Sequence, residues 1–192
     1  MLTLTAVNTQ ALPATVVSRC QRLDLRLAER TLVRETLQER GVAQDQARLL
    51  AHLSGGRIGW ALDASRDEAM LKQRHQSLDQ LVQLLPAGRV ERFGFAWKAS
   101  RDAAGTRRLI DMWTGWWRDL LLLRYQHTGD VVNVDRLDEL RSLSGQGTEH
   151  QIWAALKALQ TAAEYLEANV NTRLALESLM LRLPRWRLPA NS

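Results

Sequence analysis

A mainly helical chain, opening on a short α/β-type segment, is what this sequence predicts, and three observations lead there. From Ala28 to Leu183 the apolar residues recur at steps of three and four, the period of a helix face. Glycine, proline and Ser/Thr/Asn stops fall between those runs at helix-length intervals. Residues 1–26 differ: Leu2, Leu4 and Ala6 alternate with threonines, and Leu23 and Leu25 alternate with charged residues, which is the period of strands. A length of 192 residues, 45% of them hydrophobic and 24% charged, allows one domain or two small ones with a real core.

Taken in order, the expected first strand is Leu2 to Val7, followed by a turn over Asn8 to Pro13, a short helix at Ala14 to Cys20 and a second strand at Gln21 to Arg26. Two short strands and one short helix cannot close a core, so this stretch reads as the tail of an α/β unit. The next helix carries Leu32, Val33 and Leu37 and stops at Gly41; another carries Ala47, Leu50 and Leu53 and stops at Ser54-Gly55-Gly56; a short third begins at Ile58, Ala61 and Leu62. Met70, Leu71, Leu78, Leu81, Val82 and Leu85 mark a longer helix ended by Pro86.

A helical run over 89–100 precedes a longer one reaching to about Thr128 and closing at Gly129. Its stripe, Leu109, Trp113, Trp116, Trp117, Leu120 and Leu121, puts the tryptophans on one face, with Arg118 and Asp119 expected at the charged edge of the packing. Asn133 or Asp135 is the expected cap of a short helix ending near Leu143. Thr148 with Gln151 three residues later is a capping box. The helix it opens has an apolar seam of Ile152, Leu156, Leu159, Ala163, Leu166 and Val170, suited to packing along neighbouring helices. Asn169-Val170-Asn171 interrupts that helix, and Asn171 caps a last one running from Thr172 to about Leu183, before Pro184.

Composition narrows the chemistry. The net charge of +5 comes mostly from arginines spread along helical patterns, which suits either solvated helix faces or an anionic partner such as phosphate or nucleic acid. Cys20 is the only cysteine, which excludes an intrachain disulfide or a multi-thiolate zinc site and fits a reducing cytosol. Residues 1–10 lack the basic start and long apolar run of a signal peptide, and a soluble cytoplasmic protein is expected. There is no G-x-x-x-x-G-K-[ST] phosphate loop, and His52, His75, His127 and His150 are far apart in sequence, so neither a cofactor nor a metal is expected.

Three motifs each leave two readings open. Ser54-Gly55-Gly56-Arg57 is either an anion-cradling nest or a glycine C-cap followed by a tight helix entry. Trp113, Trp116 and Trp117 are either a base-stacking platform or part of a packed core or subunit interface. Arg19, in Ser18-Arg19-Cys20 at a helix end, is either a partner for the helix dipole or an arginine donated in trans to a nucleotide on a neighbour.

The stretch MLTLTAVNTQALPATVVSRCQRLDLR resembles the segment of bacterial clamp-loader ATPases, of the AAA+ class, that runs from the sensor-one strand through the Ser-Arg-Cys motif into the last strand of the nucleotide-binding domain. LLAHLSGGRIGWAL, WWRDLLLL and LEANVNTRLALESLMLRL are similar, in order and spacing, to the lid and collar of delta-prime-type subunits of that family. The resemblance implies a remnant of the nucleotide-binding domain at 1–26, a three-helix lid at 27–66 and a helical collar for oligomerisation at 67–192, with most of the nucleotide-binding domain lying outside this sequence. It makes Arg19 an arginine finger for ATP on an adjacent subunit, a role worth about 10³ to 10⁵ in rate. Ser18 and Cys20 would hold the turn, while Trp113, Trp116, Trp117, Asn169 and Asn171 fall in collar packing or its interface.

One departure bears on the type of subunit. Motor subunits carry a sensor-two arginine in G-x-x-R-D-A-L, and alignment on Ala61-Leu62 puts Gly59 there, with Arg57 two residues earlier and about 200° around the helix. This fits a subunit without ATPase activity. The partners implied are motor and delta subunits in a hetero-oligomeric ring, with the sliding clamp and primed DNA reached through the complex. The alternative function is a basic helical nucleic-acid-binding module.

Overall fold

Gly41 and Gly56 show how local chemistry sets the helix boundaries of the first layer. In the computed structural model, which describes residues 3–6 and 12–186, α1 (Ala14–Val17) is followed by α2 (Arg30–Glu39), α3 (Gln44–Leu53) and α4 (Ile58–Arg66). Gly41, at φ +84°, ends α2 in the left-handed region that glycine enters without strain. Gly56, at φ +86°, is held more tightly: Ala28 N–H donates to its carbonyl at 2.9 Å, and a Cβ there would stand 2.6 Å from the Ala28 carbonyl oxygen. With the turns closed, Val33, Leu37, Ala47, Leu50, Ala51, Ala61 and Ala64 form one buried core among α2, α3 and α4.

The second core belongs to α5 (Glu68–Leu84), α6 (Arg89–Ala99), α7 (Ala103–Arg124), α8 (Leu137–Ser144), α9 (Glu149–Glu167) and α10 (Thr172–Arg182). Side chains cap four of these helices: Asp67 for α5, Asp102 for α7, Asn171 for α10, and the Thr148–Gln151 capping box for α9. α7 packs along α9, and α10 lies against both α6 and α9. With α5 they enclose a core that includes Leu78, Leu81, Trp113, Trp116, Trp117, Leu120, Ile152, Leu159, Leu176 and Leu179. No described helix is long and apolar enough to cross a membrane.

Several details depart from the sequence reading. Among the described residues there is no strand: residues 3–6 and 21–29 carry no ladder, while Leu2, Val7 and the turn residues 8–11 lie outside the described residues. A strand needs a paired neighbour and a covering layer, and Leu23, Leu25 and Leu27 are 82%, 90% and 70% exposed. α1 ends at Val17, so Ser18 to Cys20 form a turn and not the end of the helix itself.

α7 stops at Arg124 and does not reach Thr128. Gln126 takes φ +62° and His127 N–H reaches back to the Leu122 carbonyl at 2.9 Å, closing the helix before Gly129. A matching closure ends α9: Asn169 sits at φ +55° and Val170 N–H bonds the Tyr165 carbonyl at 2.9 Å, which leaves Val170 exposed beyond the helical seam. Neither Asn133 nor Asp135 caps α8. A 3-10 turn, Val134–Arg136, leads directly into that helix, and both side chains are held by Arg74. Asp119, expected at a charged edge, is fully buried.

Candidate functional site

The Ser-Arg-Cys stretch is built by a single hydrogen-bonded turn. Ser18 N–H donates to the Ala14 carbonyl at 3.0 Å, Arg19 N–H to Val16 at 3.1 Å and Cys20 N–H to Val17 at 3.3 Å. Ser18 Oγ adds a bond to the Thr15 carbonyl at 3.3 Å. All three side chains are exposed. The Arg19 guanidinium meets no carboxylate among the described residues, so the turn after α1 presents a positive charge to solvent.

Asp119 and Arg74 anchor a second constellation, at the junction of the two cores. Asp119 Oδ2 accepts from Val132 N–H at 3.0 Å, Asn133 N–H at 2.8 Å and Asn133 Nδ2 at 2.7 Å. Asn133 Oδ1 in turn accepts from Arg74, whose two terminal nitrogens also grip Asp135 at 2.7 and 3.1 Å. A buried carboxylate is tolerated only when such donors replace water. Arg136 reaches Asp79 at 2.6 Å and the His75 carbonyl at 3.2 Å. Residues 131–136 are thereby fixed to α5 and α7.

The same segment carries the first core. Arg30 on α2 donates to the Gly129 carbonyl, and α3 packs against the 3-10 turn Val134–Arg136. His52, near the end of α3, has a buried Nδ1 without a partner. Burial, then the charge of Arg30, pushes its pKa below the ordinary histidine value, with Arg48 adding to this and a bond involving Val131 backbone opposing it.

A third constellation was invisible to motif reading. Arg92 is 4% exposed and, among the described residues, forms no ion pair with a carboxylate. Its Nε donates to Leu84 O at 3.0 Å, Nη1 to Met180 O at 2.8 Å and Leu183 O at 2.7 Å, and Nη2 to Leu85 O at 3.0 Å and Pro184 O at 2.8 Å. One guanidinium thus satisfies the carbonyl-bearing ends of α5 and α10, where the helix dipoles are negative. Desolvation, then the charge of Arg185, lowers its pKa, and the five carbonyls stand in for the water the buried guanidinium has lost.

Gly55 N–H bonds the His52 carbonyl, Gly56 N–H the Ser54 hydroxyl and Arg57 N–H the Ser54 carbonyl, so the amides an anion nest would need are taken. Arg57 stands just before α4, with Nε on the Ser54 carbonyl at 2.9 Å. Its direction is therefore set by that bond and not by a helical position. Trp113, Trp116 and Trp117 have no exposed surface on which a base could stack; Trp113 Nε1 bonds the Ser77 carbonyl at 3.1 Å. Asn169 and Asn171 are exposed at the α9–α10 corner, one turning the chain and the other capping α10.

The stretch from α5 to just past α10, residues 68–185, matches the family described as DNA polymerase III, delta subunit, C terminal. The chain belongs to this family. It is also similar to DNA polymerase III subunit delta' of Bacillus subtilis (strain 168), with 24% identity over 187 residues, covering 95% of this chain and 56% of that protein. The chain therefore spans little more than half the length of that relative. No solved structure matches. The family boundary at residue 68 coincides with the start of α5, so the matched region is the second core, while α2 to α4 precede it.

Proposed function

We propose that this chain is the lid-and-collar part of a non-ATPase clamp-loader subunit of the delta-prime type, acting in DNA replication. The observation that carries the reading is the family match over the six-helix bundle α5 to α10. In this reading residues 27–66 are the lid, and the bundle joins motor and delta subunits in a hetero-oligomeric ring that places the sliding clamp on primed DNA. Asn169 and Asn171, exposed at the α9–α10 corner, are candidates for that contact, whereas the buried tryptophans support it from within. Residues 1–26 would belong to a nucleotide-binding domain, and exposed Arg19 would reach ATP on the adjacent subunit.

Mixing the chain with clamp-loader subunits and weighing the product by native mass spectrometry tests the assembly role, and a stable mixed ring is the expected result. Tight binding to single-stranded DNA at physiological salt, with no affinity for those subunits, would replace it with the basic nucleic-acid-binding reading. The finger role needs a protein that also carries the family's nucleotide-binding domain. There Arg19→Ala should lower the DNA- and clamp-stimulated ATPase of the ring by about 10³ or more while assembly persists. Unchanged turnover would remove the role.

A further inference from the structure

Gly115 sits in the middle of the 22-residue helix α7, where glycine costs about 1 kcal/mol relative to alanine. Close packing does not account for it, because a Cβ at this position would meet no atom within 4 Å. It faces an open groove of about 530 Å³ between α4, α5, the end of α6 and α7. That volume falls in the roughly 300–1,000 Å³ range of small-ligand sites.

The walls are chemically mixed. Trp60 from α4 and Phe95 from α6 bring aromatic rings, Phe95 being stacked on Trp113 with centroids 5.5 Å apart. Met70 and Met112 bring thioethers that adapt to a ligand's shape. Arg57, Lys98 and Arg108 bring cations at the rim. Among the described residues Arg57 and Lys98 form no ion pair, and Arg108 has only Asp102, at 3.9 Å and solvent-exposed. Asp102 and Asp111 also line the groove, but one Asp102 oxygen is committed to capping α7 through Gly105 N–H. The balance favours an anion, and the rings favour a flat apolar part attached to it.

We propose that this groove binds a nucleotide-sized ligand, an aromatic ring bearing phosphate, with the ring against Trp60 and Phe95 and the phosphate between Arg57, Lys98 and Arg108. Such a ligand is either a free nucleotide or one unit of a single strand; the shared chemistry is the same. An uncharged peptide of equal size would leave the cationic rim without an anionic partner. The site is independent of the assembly role.

The test is a titration of the chain with dAMP and, separately, with a short oligo(dT), followed by calorimetry and tryptophan fluorescence. Saturable binding of at least one probe is expected. Lys98→Gln and Arg108→Gln should each weaken it fivefold or more, and Gly115→Leu, which fills the groove, should abolish it. Unchanged circular dichroism and urea midpoint will show that Gly115→Leu still folds; should it not, the two charge variants, both at exposed positions, decide the matter. Comparable affinity for both probes marks a free-nucleotide site, and much tighter oligo(dT) binding marks a strand-binding one. Saturation by neither probe, or binding that is indifferent to the charge variants, overturns the proposal.

Discussion

Arg92→Met keeps the apolar stem of the arginine and removes its fork, so it isolates the five hydrogen bonds that tie α5 to α10. Those bonds run from 2.7 to 3.0 Å and end on Leu84, Leu85, Met180, Leu183 and Pro184 carbonyls. A bond to a charged donor contributes roughly 1.5–3 kcal/mol, so a plain sum over five would be about 8–15 kcal/mol. That sum overstates the effect, because it ignores what desolvating the guanidinium costs and because the chain after α10 can relax toward water. Truncation leaves neutral carbonyls without their donor, each costing about 1–3 kcal/mol where it stays dry, and with part of the group rehydrated a net loss of about 3–5 kcal/mol is expected. Arg92→Lys should fall between, since an ammonium has three donors and cannot span five acceptors on two helix ends.

Urea unfolding is the assay. Six of the seven tryptophans lie between residues 97 and 186, so fluorescence reports chiefly on the second core. Trp186 N–H also bonds the Leu85 carbonyl at 3.2 Å, which places one reporter beside the change. If Arg92→Met stays within about 1 kcal/mol of the parent chain, the carbonyls find water readily and Arg92 is not the tie described.

Three other outcomes are expected. Asp119→Ala should destabilise the chain by about 3 kcal/mol in thermal or urea unfolding, since it leaves three donors without their acceptor, and Asp119→Asn by less because one amide oxygen can still accept. Gly56→Ala should cost about 2 kcal/mol or more, and Gly41→Ala only about 1 kcal/mol, because both require positive φ but only Gly56 has a backbone oxygen in the way; equal losses would show that the close approach to Ala28 carries no energy. His52 has a folded pKa below its unfolded value, so the unfolded chain takes up the proton first and stability falls as pH drops below about 6.5. His52→Gln should flatten that part of the pH dependence of the urea midpoint, and an unaltered difference between pH 7.5 and 5.5 would exclude His52 as its source.

Helices were legible because their apolar faces repeat over ten or more residues. Leu78 and Leu81, or Ile152 and Leu159, are core residues that periodicity alone selects, and Thr148 with Gln151 announces its own helix start. The end of α7 was less legible, because Gln126 enters the left-handed region without being glycine or asparagine, whereas Asn169, of a type that favours that region, marks the end of α9. Arg92 and Asp119 stand out by their helical positions. Arg92 lies four residues before buried Ala96, and Asp119 three after buried Trp116, so each falls on an apolar face where a charge is out of place. Their partners lie more than ten residues away in most cases, on segments whose approach only the fold defines. Asn133 and Asp135 illustrate the same point: residues of capping type were drawn into a long-range network instead.

The exposed leucines after the Ser-Arg-Cys turn bear on how its arginine is to be understood. Fully burying a leucine side chain is worth about 1.5–3 kcal/mol, and Leu23, Leu25 and Leu27 have gained little of that here. By contrast, the segment 129–136, which is no richer in apolar residues, is fixed because Asp119, Arg74 and Arg30 hold its backbone and side chains. The two segments differ in having partners, not in local propensity. α1 is a four-residue helix held by its own turn, so nothing among the described residues beyond that turn fixes the direction in which Arg19 points. A finger must reach a phosphate with sub-ångström precision to act on the transition state. The finger role proposed for Arg19 is therefore to be tested in a protein that carries the family's nucleotide-binding domain, whereas the proposed assembly of the bundle, whose core is already closed, can be tested on this chain as it stands.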